Sequence, residues 1–301
     1  MKKARNFTLF LGTFLALNFL CKQATGDFSP HFLTPPAPPE SKWGNTERPA
    51  FLEDLFKGNF TYLGKGKQAY VFLSQDKEHV LKVFKPLCPY FRVSFFGKSY
   101  KITCAGIPLA QLLFNLFYAK ECEQARDHTF LSYWNAFQLL KEETQIEYLH
   151  LTKTKQLHPP IKIYDRIGVL HTLFLDSTSF LIQKKTDLFY PTLDKLIQNR
   201  EIVAAKELIS HFVEFYGQLA DKGILNPSAF EGNIGCIGTK VVQIDVGRVF
   251  KKQDLDPSLS EEDSKIPKTQ LLQNTKHLKK WLSSKNPELC NYLEDLEKKQ
   301  I

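Results

Sequence analysis

Apolar and polar residues alternate along 59–85, NFTYLGKGKQAYVFLSQDKEHVLKVFK. Two runs stand out, Tyr70-Val71-Phe72-Leu73 and Val80-Leu81-Lys82-Val83-Phe84, with the polar turn Gln75 to His79 between them. A period of two puts successive side chains on opposite faces, so the runs predict a hairpin. Residues 109 to 141 contain neither Pro nor Gly and repeat apolar positions every three or four residues, which predicts helix in one or two pieces. On it Glu123, Asp127, Phe130, Trp134 and Phe137 share one face. IKIYDRIGVLHTLFL and SFLIQKK read as strands about the turn Asp176-Ser177-Thr178. After Asp187 the period changes: YPTLDKLIQNR carries Pro191 early, where a helix tolerates it, and EIVAAKELISHFVEFYGQLADKG stops at Gly223. Two short strands, an acidic stretch over 255–265 and a pair of helices complete the chain.

The first fifty residues follow another pattern. Lys2, Lys3 and Arg5 precede the apolar run Phe7 to Cys21, and Ala24 and Gly26 place small residues where a signal peptidase needs them. The run falls short of the ~20 residues of a membrane span, so 1–26 is expected to be a secretory signal, with no stable span. A lipoprotein signal through Cys21 fits less well, since bulky Leu20 stands where a small residue is needed, and an N-terminal core helix is the other alternative. Residues 27–50 hold six prolines and almost no periodicity, which predicts an extended linker or arm. Beyond it, strands and one long helix fill 51–186 and helices dominate 187–301, the order of an α+β fold in two lobes.

Composition narrows the classes. At 43% hydrophobic, 301 residues suffice for one large core or two modest ones, which excludes disorder for most of the chain. The net charge of +8 is scattered, with no basic stripe interleaved with aromatics, so no nucleic-acid partner is expected. Of six cysteines, Cys21 leaves with the signal, and the other five form no C-x-x-C pair. They read as small buried hydrophobes, neither a disulfide framework nor a zinc site. That sits uneasily with export to an oxidising compartment.

Four places carry chemistry. Gly64-x-Gly66-x-x-Ala69 lies between strand signals, where residues without bulk let backbone approach phosphate oxygens; a plain hairpin turn has the same look. Lys82, thirteen positions after Ala69, interrupts an apolar strand. Facing inward, its ammonium needs an anion, and the other reading is an edge strand with Lys82 in water. Glu123, sharing its face with Phe130 and Phe137, is the candidate carboxylate, with Glu121 as alternative. Asn233 and Asp245 lie twelve apart and bracket two short strands, so an amide oxygen and a carboxylate at the ends of one hairpin are placed to hold Mg²⁺. Gly247 follows at a sharp turn.

In order and spacing these elements resemble the protein-kinase-like superfamily, which includes aminoglycoside-type phosphotransferases, over roughly 51–250, with Asp245-Val246-Gly247 standing where the family has Asp-Phe-Gly. The chain, with its export signal, also resembles kinase-like exported proteins of chlamydia-type intracellular bacteria. The resemblance implies a strand-rich N-lobe and a helix-rich C-lobe that bind ATP with Mg²⁺. Gly64, Gly66 and Ala69 would cover the phosphates, Lys82 would bind them and pair with Glu123, and Asn233 and Asp245 would hold the metal. Ile182 to Lys184, Gln183 included, would lie along the adenine. One position departs from the pattern: Ser228 stands where the family has the aspartate that accepts the proton of the attacking hydroxyl. General-base catalysis contributes ~10²–10⁴-fold, while positioning and metal electrostatics carry much of phosphoryl transfer, so the resemblance implies phosphotransfer that is weak or absent. The alternative is a non-catalytic exported protein that uses this scaffold to bind a protein partner in the target compartment.

Overall fold

The computed structural model describes residues 2–30, 33–44, 47–85, 91–95, 98–102, 119–225, 232–255, 258 and 269–300. The chain is a mixed α and β protein of two compact units, 1–128 with 148–183 and 129–147 with 184–301. It passes between them within a helix and two strands, at 128/129, 147/148 and 183/184. The second half of the long helix, placed with the first lobe on sequence grounds, belongs to the second unit.

The first unit opens with α1 (Lys2–Thr25) and α2 (Phe51–Leu55) and continues as β1 (Asn59–Lys65), β2 (Ala69–Ser74) and β3 (His79–Phe84). A separate hairpin, β4 (Phe91–Phe95) with β5 (Lys98–Ile102), precedes α3 (Ala119–Leu139), which crosses to the second unit at Thr129, and the short α4 (Lys141–Thr144) of that second unit. Then come β6 (Ile146–His150), β7 (Ile161–Tyr164), β8 (Leu170–Leu173), a 3-10 turn (Leu175–Ser177) and β9 (Phe180–Lys184). Seven strands form one sheet in the order β6-β9-β3-β2-β1-β7-β8. It is mixed, because β1 runs antiparallel to β2 but parallel to β7. One face is the core: Phe60, Tyr70, Phe72, Leu81, Val83, Ile163, Phe180 and Ile182 pack against Leu52, Leu55 and Phe56 at α2. Each such side chain contributes about 1.5–3 kcal/mol.

The proline-rich stretch is no free linker. Phe28, Thr34, Ala37 and Trp43 are buried, and Phe28 joins the core. Its non-proline residues still carry N–H groups, and these bond to strand ends: Thr34 N–H donates to Phe84 O at 3.0 Å and Ala37 N–H to Leu151 O at 2.7 Å. Alternation is lost over so many prolines, which is why the sequence hides this packing. Upstream, Phe10, Phe14, Leu17, Phe19 and Leu20 of α1 are exposed, and no described helix is long and apolar enough to cross a membrane.

The second unit holds β10 (Asp187–Leu188), α5 (Phe189–Gln198), α6 (Ile202–Asp221), β11 (Ile224–Leu225), β12 (Ile234–Ile237) and β13 (Lys240–Gln243). It ends with β14 (Phe250–Lys251), α7 (Lys252–Leu255), α8 (Thr269–Lys285) and α9 (Pro287–Gln300). Helix α6 buries Leu208, Ile209, Phe212, Val213, Phe215 and Tyr216 along one stripe, and Gly223 follows it at φ +67° in the left-handed conformation that ends helices. Cys236 and Cys290 are buried and unpaired, as small apolar residues.

Candidate functional site

Residues 234–243 fold into a hairpin because the β-branched residues Ile234, Ile237, Val241 and Val242 flank a turn at Gly238, whose φ of +60° suits glycine. Ile234 stands opposite Gln243 and Ile237 opposite Lys240, so the residues just outside the strands meet at the open end. There Ile244 N–H donates to Asn233 O at 2.8 Å and Asp245 N–H reaches the same oxygen at 3.4 Å. Asn233 and Asp245 are therefore neighbours, each half-buried. Asp245 Oδ1 accepts the Gly247 N–H at 3.0 Å, which bends the chain back, and Gln243 Nε2 donates to Asp245 O at 2.9 Å.

Helix α3 locks the loop that follows. Ser132 Oγ donates to Val246 O and accepts the Val249 N–H at 2.6 Å, while Asn135 Nδ2 donates to Asp254 Oδ2 at 2.6 Å. Ser132, Asn135, Val246 and Val249 are buried, so each of their bonds also removes the cost of a stranded polar atom. Tyr133, between Ser132 and Asn135, is fully buried; burial first, and the Asp245 carboxylate second, push its phenol well above its ordinary range, so it stays protonated. Gly235 anchors the other side: a Cβ there would lie 2.5 Å from Thr186 Oγ1 and 2.7 Å from Asp187 O. Neither Ser132 nor Asn135 carries a signal in the sequence, because their partners lie more than a hundred residues away.

In the first unit, Gly64 lies opposite Val71 just after a register irregularity, and Gly66 N–H donates to Ala69 O at 2.9 Å to close the turn. A Cβ at Gly64 would meet nothing within 4 Å, and at Gly66 only Ala69 O at 3.9 Å. Neither glycine has a positive φ, so the chain itself does not require glycine at either position. Lys85 Nζ donates to Gly66 O at 2.7 Å, and Lys65 Nζ pairs with Asp27 at 2.6 Å. Burial and the nearby Lys65 charge lower the Lys85 pKa.

Lys82 is 6% exposed, which excludes the water-facing reading of its strand. Leu81 and Val83 point into the core, so Lys82 faces the opposite side of the sheet. Phe180 and Ile182 point into that same core, which puts the buried Gln183 on the Lys82 side, with β3 and β9 adjacent. Glu123 behaves otherwise than its helix pattern suggests. Its side chain is 62% exposed and pairs with Arg126 at 3.0 Å, so the Lys82–Glu123 pair implied by the resemblance is not formed. The reason is local: Arg126 sits one turn on and also binds Asp127 at 3.3 Å, and among the described side chains of α3 the first buried one is Thr129. The Glu121 side chain and residues 226–231, with Ser228, lie outside the described part.

Among the described residues, no three His, Cys, Asp or Glu side chains gather to hold a metal ion. A carboxylate and an amide fit a hard cation whose remaining ligands are phosphate and water oxygens, the usual manner of Mg²⁺. No protein-family model matches the chain, and no curated protein matches it.

Proposed function

We propose that this is an exported protein of two-lobed, protein-kinase-like fold that binds ATP with Mg²⁺, with weak or absent phosphotransfer. The observation that carries the reading is the meeting of Asn233 and Asp245 at one end of a hairpin, with Ile244 N–H to Asn233 O at 2.8 Å. Asp245 offers a half-buried carboxylate held by Gly247. Bound Mg²⁺ would neutralise phosphate charge. In the first unit, the open surface over Gly64 and Gly66 and the buried Lys82 ammonium suit phosphate oxygens. The missing Lys82–Glu123 pair and Ser228 in place of an acid both weigh against fast turnover. The basic start and apolar run of α1 support export, and ATP would then be met in another cell's cytosol.

The test is thermal denaturation of the full chain with Mg²⁺-ATP. Nucleotide at about 100 times its Kd stabilises by about 2.7 kcal/mol, which raises Tm by several degrees. Asp245→Asn is expected to remove the rise while leaving the Tm without ligand nearly unchanged. The absence of any rise at millimolar Mg²⁺-ATP would overturn the reading.

A further inference from the structure

The segment between His150 and His158 holds the N-terminal arm. Ala37 N–H donates to Leu151 O at 2.7 Å, and Lys153 N–H donates back to Ala37 O at 2.8 Å. Thr152 Oγ1 donates to Gly44 O at 3.0 Å, and Arg48 Nη1 to Leu157 O at 3.0 Å. The two histidines that end this segment meet in the interior. Their rings lie 4.9 Å apart, nearly perpendicular, and both residues are buried. Tyr148 Oη shares a hydrogen bond with His158 Nε2 at 3.0 Å. His150 Nε2 and His158 Nδ1 are each sealed from water with no hydrogen-bond partner. Phe180 faces both rings, at 5.0 and 5.5 Å, and Phe56 meets His158 edge-on at 5.9 Å.

The charged groups around the pair do little to favour its cationic form. Asp176 lies closest, but its carboxylate is taken up by Thr154 Oγ1 at 2.5 Å, His158 N–H at 3.1 Å and Leu157 N–H at 3.2 Å. Arg48, on the arm, opposes protonation of His158. Lys153 and Lys155 of the segment are exposed. The elements packed from the other sides present rings. Burial, with His158 acting on His150, takes both imidazoles down to about 4, against the weaker pull of Asp176. The Asp176 backbone favours a proton on His150, and Tyr148 Oη meets His158 Nε2, but in the cations His150 Nε2 and His158 Nδ1 have no acceptor, and a second proton meets the first charge across 4.9 Å. Water is the nearest remedy, and it is reached by lifting the segment away from Phe180 and Phe56.

We infer that His150 and His158 form a proton-operated latch, whose protonation frees the Leu151–Leu157 segment and releases the part of the arm bonded to it, at Ala37, Gly44 and Arg48. The sign follows from linkage: the closed form holds the imidazoles near 4 and the opened form near 6.5, so docking is complete above about pH 6.5 and is lost as pH falls toward 4.

Trp43, 3% exposed on the arm, is the natural reporter. In the full chain with Trp134→Phe and Trp281→Phe, acrylamide quenching of Trp43 is followed from pH 7.5 to 4 alongside far-UV circular dichroism. Quenching is expected to rise several-fold within that window while the dichroism holds, and to stay low when His150→Gln and His158→Gln are added. Trp43 shielded down to pH 4, opening only together with loss of dichroism, or opening equally in the double variant would each overturn the latch. A second variant guards against misfolding of the first. Ala37→Pro removes the N–H bonded to Leu151 O, and at pH 7 it is expected to open Trp43 and move two histidine NMR titrations up toward 6.5. Titrations that stay where they were would equally refute the inference.

Discussion

The β1–β2 turn and the β12–β13 hairpin both carry glycines beside candidate site residues, yet the glycines stand there for opposite reasons. Gly235 has no room for a side chain, with protein atoms 2.5–2.8 Å from where a Cβ would sit. Gly64 has open space and an ordinary φ. The supports differ as well. The first turn is held by its own meander, through Gly66 to Ala69 and Lys85 to Gly66. The loop after Asp245 is held by Ser132 and Asn135 from a helix far back in the chain. A glycine-rich stretch is therefore no guide by itself: one of these glycines serves packing, and the other leaves a surface uncovered, which is what a ligand site needs.

The contrast breaks most sharply at Ser132. Ser132→Ala strands the Val249 N–H and the Val246 carbonyl in the interior, at an expected cost of about 3 kcal/mol, measured by urea unfolding; a loss under about 1 kcal/mol would show that helix α3 does not hold the Asp245 loop. Gly235→Ala comes next, because Thr186, Asp187 and Ile244 must all give way, for about 2 kcal/mol of overpacking in the same assay. Asp245→Asn separates function from fold: it keeps the Oδ1 acceptor for Gly247 and should change stability by about 0.5 kcal/mol or less, while the Mg²⁺-ATP shift disappears. Gly64→Ala has the smallest expected effect on the free protein, within about 0.5 kcal/mol. A reduced nucleotide shift in that variant would show that the open surface is used, and a full shift would reduce Gly64 to a turn residue.

Much of the scaffold was legible in the sequence, because periodicity is a local property. The alternation over 70–84 specified β2 and β3, the 3.6-residue stripe specified α6, and the twelve-residue spacing of Asn233 and Asp245 was enough to bring them to one end of a hairpin. Lys82 was legible only as a choice between water and interior, settled by the covering of both faces of β3. The rest was decided by tertiary structure. Glu123 follows the apolar face of its helix by number, but that face is covered only further along, and Arg126 claims the carboxylate instead. The arm's prolines erase any pattern, yet Thr34 and Ala37 bond to the ends of distant strands. His150 and His158 are ordinary polar letters until the Phe180 ring and the segment between them close over both. Side-chain periodicity and the hydrogen bonds within a helix depend on neighbours a few residues away, and the chain order contains them. Burial, and the fate of a polar atom once buried, depend on which surfaces meet, and only the folded chain brings those together.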